Sequence, residues 1–322
     1  MIVRWGLDTL APVLEELGSE RPFLVASERW SRLELPVEPA GPWTEVPSDR
    51  IDEATAAAKD ADAVVAIGGG SAIDLGKAIS AAGGLPLVSV PTTYAGAEWT
   101  PYFGVRDPDR RMRGGGSGAH LAGIVYDVDL VGGLPLAVTV GTAMNALAHC
   151  AEALYVKGRN DDADAHALEG ARLIGEFLPR VVEAPEDPDL RERLLQGAYD
   201  AGYALAHSML GLGHAMAQAL GGRYGLPHGA LNAICLPAAL RFNEPVAPDA
   251  LRRLGVALGT DDPIGRVEEL ARLGGLEWLR DLGVPEDEVD EVAEAVVVRA
   301  GAKANPRPAT PEQVAELLRS VF

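Results

Sequence analysis

Three histidines, an asparagine and a glycine-rich turn are the residues of this chain whose types and spacing could do chemistry. His149 lies in TAMNALAHCAEALY, four residues after Asn145, so on a helix the two side chains share one face. His214 and His228 lie in GHAMAQALGGRYGLPHGALNA. His214 falls on a helical stretch that the paired glycines Gly221 and Gly222 can end or bend. His228 follows Pro227 and opens the next helix, with Gly229 and Asn232 behind it. Three imidazoles and one side-chain oxygen could form a divalent metal site, with iron or zinc as the ion and an open position for substrate. Against that, the uncharged carbonyl of an asparagine is a poorer ligand than a carboxylate. Isolated histidines are more often satisfied core residues, and His120, His166 and His207 are read that way.

The second feature is Ala61–Lys77, ADAVVAIGGGSAIDLGK, where an apolar run meets three glycines and a serine and a helix opens at once. Glycines let backbone approach an anion, and a helix N-terminus supplies free N–H groups and a favourable dipole. Ser71 is placed to be both the N-cap and a phosphate donor. Gly68–Gly70 could equally make a plain strand-to-helix turn, since the spaced glycines of the usual dinucleotide fingerprint are absent. The loop specifies an anion site without saying which anion. Asp74 and Lys77, three apart, would be helix neighbours, either as an ion pair or with Asp74 orienting a cofactor.

These residues need elements to hold them. Phe23–Ser27, Ala63–Ile67 and Leu87–Val90 read as strands, and 51–59 and 72–81 as helices. Alternation of this kind implies a mostly parallel sheet with helices on both faces, and ligands bind beyond its strand ends. A glycine- and arginine-rich stretch, 107–123, reads as a flexible surface excursion before strand character resumes over 124–130. From about residue 135 alanine- and leucine-rich helical patterns dominate, at 138–155, 164–178 and 190–210. The expectation is an α/β domain over residues 1–134 with a Rossmann-like sheet, and an all-α domain over 135–322.

Composition narrows the partners. Carboxylates outnumber bases 47 to 28, for a net charge of −19, which argues against nucleic acid and anionic membranes. No stretch approaches the roughly 20 apolar residues of a membrane span, and no signal peptide opens the chain, so a cytoplasmic protein is expected. Cys150 and Cys235 sit in apolar surroundings and read as buried, inert thiols.

Taken in order, GGGSAIDLGKAIS, LPLVSVPTTYAGAEWTPYFGV, VYDVDL, MNALAHCAEALY and GHAMAQALGGRYGLPHGALNAICLP resemble the iron-containing (group III) alcohol dehydrogenases. PTTYAGAEWTP, MNALAHCAEALY, LGGRYGLPH and the ending ANPRPATPEQVAELL are most similar to the maleylacetate reductase branch. The resemblance runs from about residue 60 to the end, with an abbreviated first strand–helix unit. It implies an architecture shared with dehydroquinate synthase, with NAD(P)H in the first domain and catalysis in the cleft beside the helical one. Gly69, Gly70 and Ser71 would hold the pyrophosphate, and Thr92 and Thr93 would contact the cofactor, with Asp74 and Leu130 also on its side. In metal-dependent relatives an aspartate and three histidines bind the ion; these map onto Asn145, His149, His214 and His228.

The chain departs from that pattern at three places. Asn145 stands for the aspartate, as in the maleylacetate reductases, which work without metal. Gln218 stands where a histidine is usual. The stretch before VYD lacks an arginine- and proline-rich segment, although Arg111 and Arg113 lie close by in sequence. The expected function is metal-free hydride transfer from NAD(P)H to a small keto acid such as maleylacetate, in the ring-cleavage route for aromatics. His149, His214 and His228 would serve as acids or hydrogen-bond donors. A homodimer and use of either NAD or NADP are expected, Ser27 and Arg29 favouring the phosphate and Glu28 opposing it. The alternatives are a metal-dependent alcohol or polyol dehydrogenase and a catalytically silent NAD(P)-binding relative.

Overall fold

The computed structural model describes all 322 residues, which divide into two compact units, Met1–Val131 and Gly132–Phe322.

The first unit is built on strands β1 (Ile2–Trp5), β2 (Pro22–Ala26), β3 (Ala40–Trp43), β4 (Ala63–Gly68), β5 (Pro86–Pro91) and β8 (His120–Tyr126). They form one sheet in the order β1-β8-β5-β4-β2-β3, with every pair parallel. Residues of β2 and β4 are buried throughout, because helices cover both faces. The strand period of two divides them. Leu24, Val65, Ile67, Val88 and Val125 pack on one face with α1 (Leu10–Glu16). Phe23, Val25, Val64, Ala66 and Leu87 pack on the other with α2 (Ile51–Ala57) and α3 (Gly70–Gly83).

Two edge strands, β1 and β3, go beyond the sequence reading. IVRW is only four residues long, and AGPW carries a glycine and a proline that normally argue against a strand. The expected flexible excursion at 107–123 is corrected. Strands β6 (Phe103–Arg106) and β7 (Met112–Gly116) form an antiparallel ribbon, and β8 already begins at His120. Asp107 closes the ribbon's turn, accepting the backbone N–H of Arg111 at 2.9 Å and Nε of Arg113 at 2.8 Å. The strand expected over 124–130 ends at Tyr126, and a short helix α4 (Asp129–Gly132) follows.

Entry into β2 is pinned by Asp62, which accepts the Ser19 hydroxyl at 2.6 Å and the backbone N–H groups of Glu20 and Arg21. Desolvation pushes its carboxyl up, but these bonds together outweigh it and hold the group below the usual aspartate range. A depressed folded-state value contributes stability above the unfolded pKa and loses it as pH falls through the folded one. Asp62→Asn is therefore expected to lower the urea midpoint at pH 7, with the gap to wild type persisting to about pH 4 and closing below it.

The second unit is helical: α5 (Leu136–Ala153), α6 (Asp161–Glu183), α7 (Pro188–His207), α8 (Leu212–Tyr224) and α9 (His228–Asn243), then α10 (Pro248–Leu258), α11 (Pro263–Arg272), α12 (Val289–Val297), α13 (Ala300–Ala304) and α14 (Pro311–Arg319). The alanine-rich α5 is buried on nearly every side, as a helix apolar all round must be. Gly221 and Gly222 do not end α8, which continues to Tyr224 and is capped by Gly225 at φ +70°. No helix is long and apolar enough to cross a membrane.

Candidate active site

At the carboxyl end of β4, Gly68 adopts φ +152°, and a Cβ there would come within 2.7 Å of the Ala72 Cβ. Gly69 is the N-cap of α3, correcting the expectation that Ser71 fills that place; Ser71 is already inside the first turn. No side chain caps this helix, so its leading N–H groups are left for a ligand. The turn after β5 lies against the loop: the Thr92 N–H donates to the Gly68 carbonyl at 3.0 Å, and Thr93 Cγ2 would sit 3.0 Å from a Cβ on Gly69. Gly69, Gly70, Ser71, Thr92 and Thr93 are thus assembled in one place, around a helix N-terminus that no side chain caps. Asp74 and Lys77 are braced into the fold. Lys77 Nζ lies 3.3 Å from Asp74 Oδ1 and donates to the Tyr102 carbonyl at 2.8 Å, while Asp74 Oδ2 accepts the Gly104 N–H at 3.1 Å. Leu130 packs into the apolar core.

In the second unit, α5 carries Asn145, His149 and Glu152, α8 carries His214, and α9 carries His228 and Asn232. The helices α5 and α9 cross so closely that a Cβ on Gly229 would meet the Gly141 carbonyl oxygen at 2.5 Å. That crossing sets the side chains of the two helices against each other. The His149 and His214 rings stack at 4.6 Å with 14° between planes, and the His228 ring is 5.8 Å from that of His214. The three histidines expected from the sequence are therefore together.

Polar contacts define the rest. Asn232 Nδ2 donates to Asn145 Oδ1 at 2.6 Å and lies 3.0 Å from His228 Nε2. Glu152, wholly buried, lies 2.7 Å from His214 Nδ1. Three buried atoms of this cluster have no protein partner: His149 Nδ1, His214 Nε2 and Asn232 Oδ1. Buried polar atoms left unpaired cost free energy, so a cluster of them marks where a ligand or water belongs. Burial holds His149 well below the usual imidazole range, and the neighbouring His214 and His228 rings add to the effect.

The donor set does not suit a metal ion. No group of three or more His, Cys, Asp or Glu side chains is disposed to hold one. Asn145 Oδ1, in the place of the aspartate oxygen, is uncharged and already accepts from Asn232. Glu152 was missed in the sequence, where one acid in AHCAEAL reads as the solvated face of a helix. Its signal was the spacing, three residues beyond His149 in an otherwise apolar run. Of the remaining histidines, His120 and His207 are exposed and not in the core, His207 stacking on Tyr203, while the half-buried His166 pairs with Asp200 at 2.6 Å. Arg113 is paired with Asp107. Both cysteines are buried and their thiols pushed up by burial, as inert thiols should be.

A parallel sheet whose β4 ends in a glycine-rich turn, together with a helical unit that gathers three imidazoles, two of them buried, is the arrangement of a dinucleotide-dependent oxidoreductase. Residues 5–122 match the family model "Iron-containing alcohol dehydrogenase", and residues 139–322 match "Fe-containing alcohol dehydrogenase family, C-terminal". The first match extends the likeness back to the opening strand, beyond the residue 60 expected. A maleylacetate reductase from Burkholderia cepacia is 38% identical over 81% of this chain and 74% of its own. One from Pseudomonas knackmussii is 34% identical over 99% and 95%. The crystal structure of maleylacetate reductase from Rhizobium sp. strain MTP-10005 superposes with a TM-score of 0.88, at 30% identity, covering 100% of this chain and 95% of that one. The chain belongs to the iron-containing alcohol dehydrogenase family. Within it, the protein is an NAD(P)-dependent oxidoreductase of the maleylacetate reductase type.

Proposed function

We propose that the protein reduces maleylacetate, or a small keto acid of the same class, and does so without a metal ion. One observation carries the reading: His149 Nδ1 and His214 Nε2 are buried and unpartnered on stacked rings, while the amide oxygen in the ligand position is engaged by Asn232.

Gly69, Gly70, Ser71, Thr92 and Thr93 would hold NAD(P)H, which would supply the hydride. Whether hydride reaches the keto carbon or the double bond conjugated to it, the electron pair that moves ends on the keto oxygen. The protein's task is to meet that charge. Preorganised donors aimed at a developing oxyanion are worth about 10²- to 10³-fold in rate each. His149, held neutral by burial, serves as a fixed hydrogen-bonding ring. His214, with its other nitrogen on a carboxylate, is the ring that delivers the proton. Asn232 ties His228 to Asn145 and keeps the third ring in register. Use of either cofactor is expected: Ser27 follows β2 directly, Glu28 beside it opposes a 2′-phosphate, and the Arg29 guanidinium lies 4.6 Å from the Trp30 ring centre.

The test is oxidation of NADH and of NADPH with freshly generated maleylacetate in excess chelator. Undiminished turnover is expected. Activity that vanishes with chelator and returns with zinc or iron would contradict the metal-free reading. The cradle has its own prediction. Gly68→Ala forces a side chain into a positive-φ position already 2.7 Å from Ala72. It is expected to weaken NADH binding about tenfold or more, equivalent to about 1.4 kcal/mol, in a fluorescence titration.

A further inference from the structure

We infer that Glu152 is a positioning residue: its carboxylate fixes which nitrogen of His214 is presented to the substrate. The kinetic consequence rests on the reduction proposed above; the geometry does not.

Three nitrogens, two of them backbone N–H donors, converge on its two oxygens. Oε2 accepts the Gly211 backbone N–H at 2.6 Å and lies 2.7 Å from His214 Nδ1, and Oε1 accepts the His214 backbone N–H at 3.2 Å. A carboxylate that only accepts can satisfy all three. An amide of the same shape cannot, since whichever way it turned its NH₂ would face one of the backbone N–H groups. The contact with the ring is then donated by His214: Nδ1 carries the hydrogen, and the tautomer is set. The remaining nitrogen, Nε2, is the one buried without a partner. It is free to hold the mobile proton and pass it to the oxyanion, leaving a neutral ring with Nδ1–H still on Glu152.

The same group grips the start of α8, which no side chain of its own caps. A Cβ on Gly211 or Gly213 would lie 2.9 Å from the carboxylate, so these glycines make the room in which it sits. Ring and backbone are aligned by one buried side chain. This is the arrangement in which a third group orients a catalytic imidazole.

The test reads the ring directly. Nitrogen-15 spectra of the protein without cofactor, with the His214 signals assigned by their loss in His214→Ala, are expected to show the hydrogen on Nδ1. Glu152→Gln is expected to lose that signature and to lower kcat about a hundredfold, with KM for NADH and for maleylacetate within about threefold of wild type. A wild-type ring protonated on Nε2 alone would overturn the inference. So would a Glu152→Gln protein that keeps its turnover, or one that loses turnover while its ring is unchanged, which would make Glu152 a structural brace only. If that variant does not fold, the wild-type spectrum decides alone. A wild type inactive on maleylacetate would sink the reduction proposed above and leave the ring spectrum to decide this one.

Discussion

Replacing His214 by alanine is expected to lower kcat about a thousandfold, within the range for losing a positioned general acid, while NADH affinity stays within about twofold of wild type. The ring is stacked 4.6 Å from His149 and 5.8 Å from His228, with Nε2 buried and unpartnered and Nδ1 on Glu152. Alanine removes the proton source and also strands the Glu152 carboxylate. Neither His149, held neutral by burial, nor an entering water replaces a proton donor set by a carboxylate. The proposed dinucleotide cradle, the loop at Gly69–Ser71 and the Thr92–Thr93 turn, belongs to the other unit, so binding is expected to be spared. A variant that kept more than about a tenth of wild-type kcat would remove His214 from the chemistry.

Gly229→Val is expected to cost stability and activity together. A Cβ at this position would meet the Gly141 carbonyl oxygen at 2.5 Å, and the obstacle is backbone, which cannot turn aside as a side chain can. Helices α5 and α9 must part, and with them Asn145 and His149 from His228 and Asn232. The 2.6 Å bond between the two asparagines breaks when they do. Overpacking of this kind costs about 3 kcal/mol. In a unit of about 190 residues that lowers the melting temperature by about 6–12 °C. Turnover should fall even in the fraction that folds, because the imidazoles no longer converge. A Gly229→Val protein that melts with wild type and turns over normally would show that the close crossing does not build the site.

Much of this was legible in the residues. The buried strands β4 and β5 are apolar runs that end at glycine or proline, and the helices that carry the histidines follow from their apolar spacing and from Pro227 before His228. The three rings meet as expected because Asn145 and His149 share a helical face and the loop between α8 and α9 is short. What was not legible depends on neighbours distant in sequence. Strand β3 exists because β2 offers a free edge, and AGPW has no strand propensity of its own to announce it. The glycines of β7 read as a flexible tract, whereas in the structure they pair with β6. Gly69 takes the cap position expected of Ser71 because the helix starts two residues earlier than a serine cap would set it. Glu152 matters through Gly211 and His214, about sixty residues away, partners that its spacing from His149 does not name.

The most direct measurement is the fate of deuterium from NADH deuterated at the transferring position of the nicotinamide. It would be followed by mass spectrometry of the product formed from maleylacetate by protein stripped with chelator. One deuterium on a product carbon, at a rate unchanged by stripping, is the expected result. Product without deuterium, or deuterium transferred only after zinc or iron is restored, would contradict metal-free hydride transfer at the imidazole site.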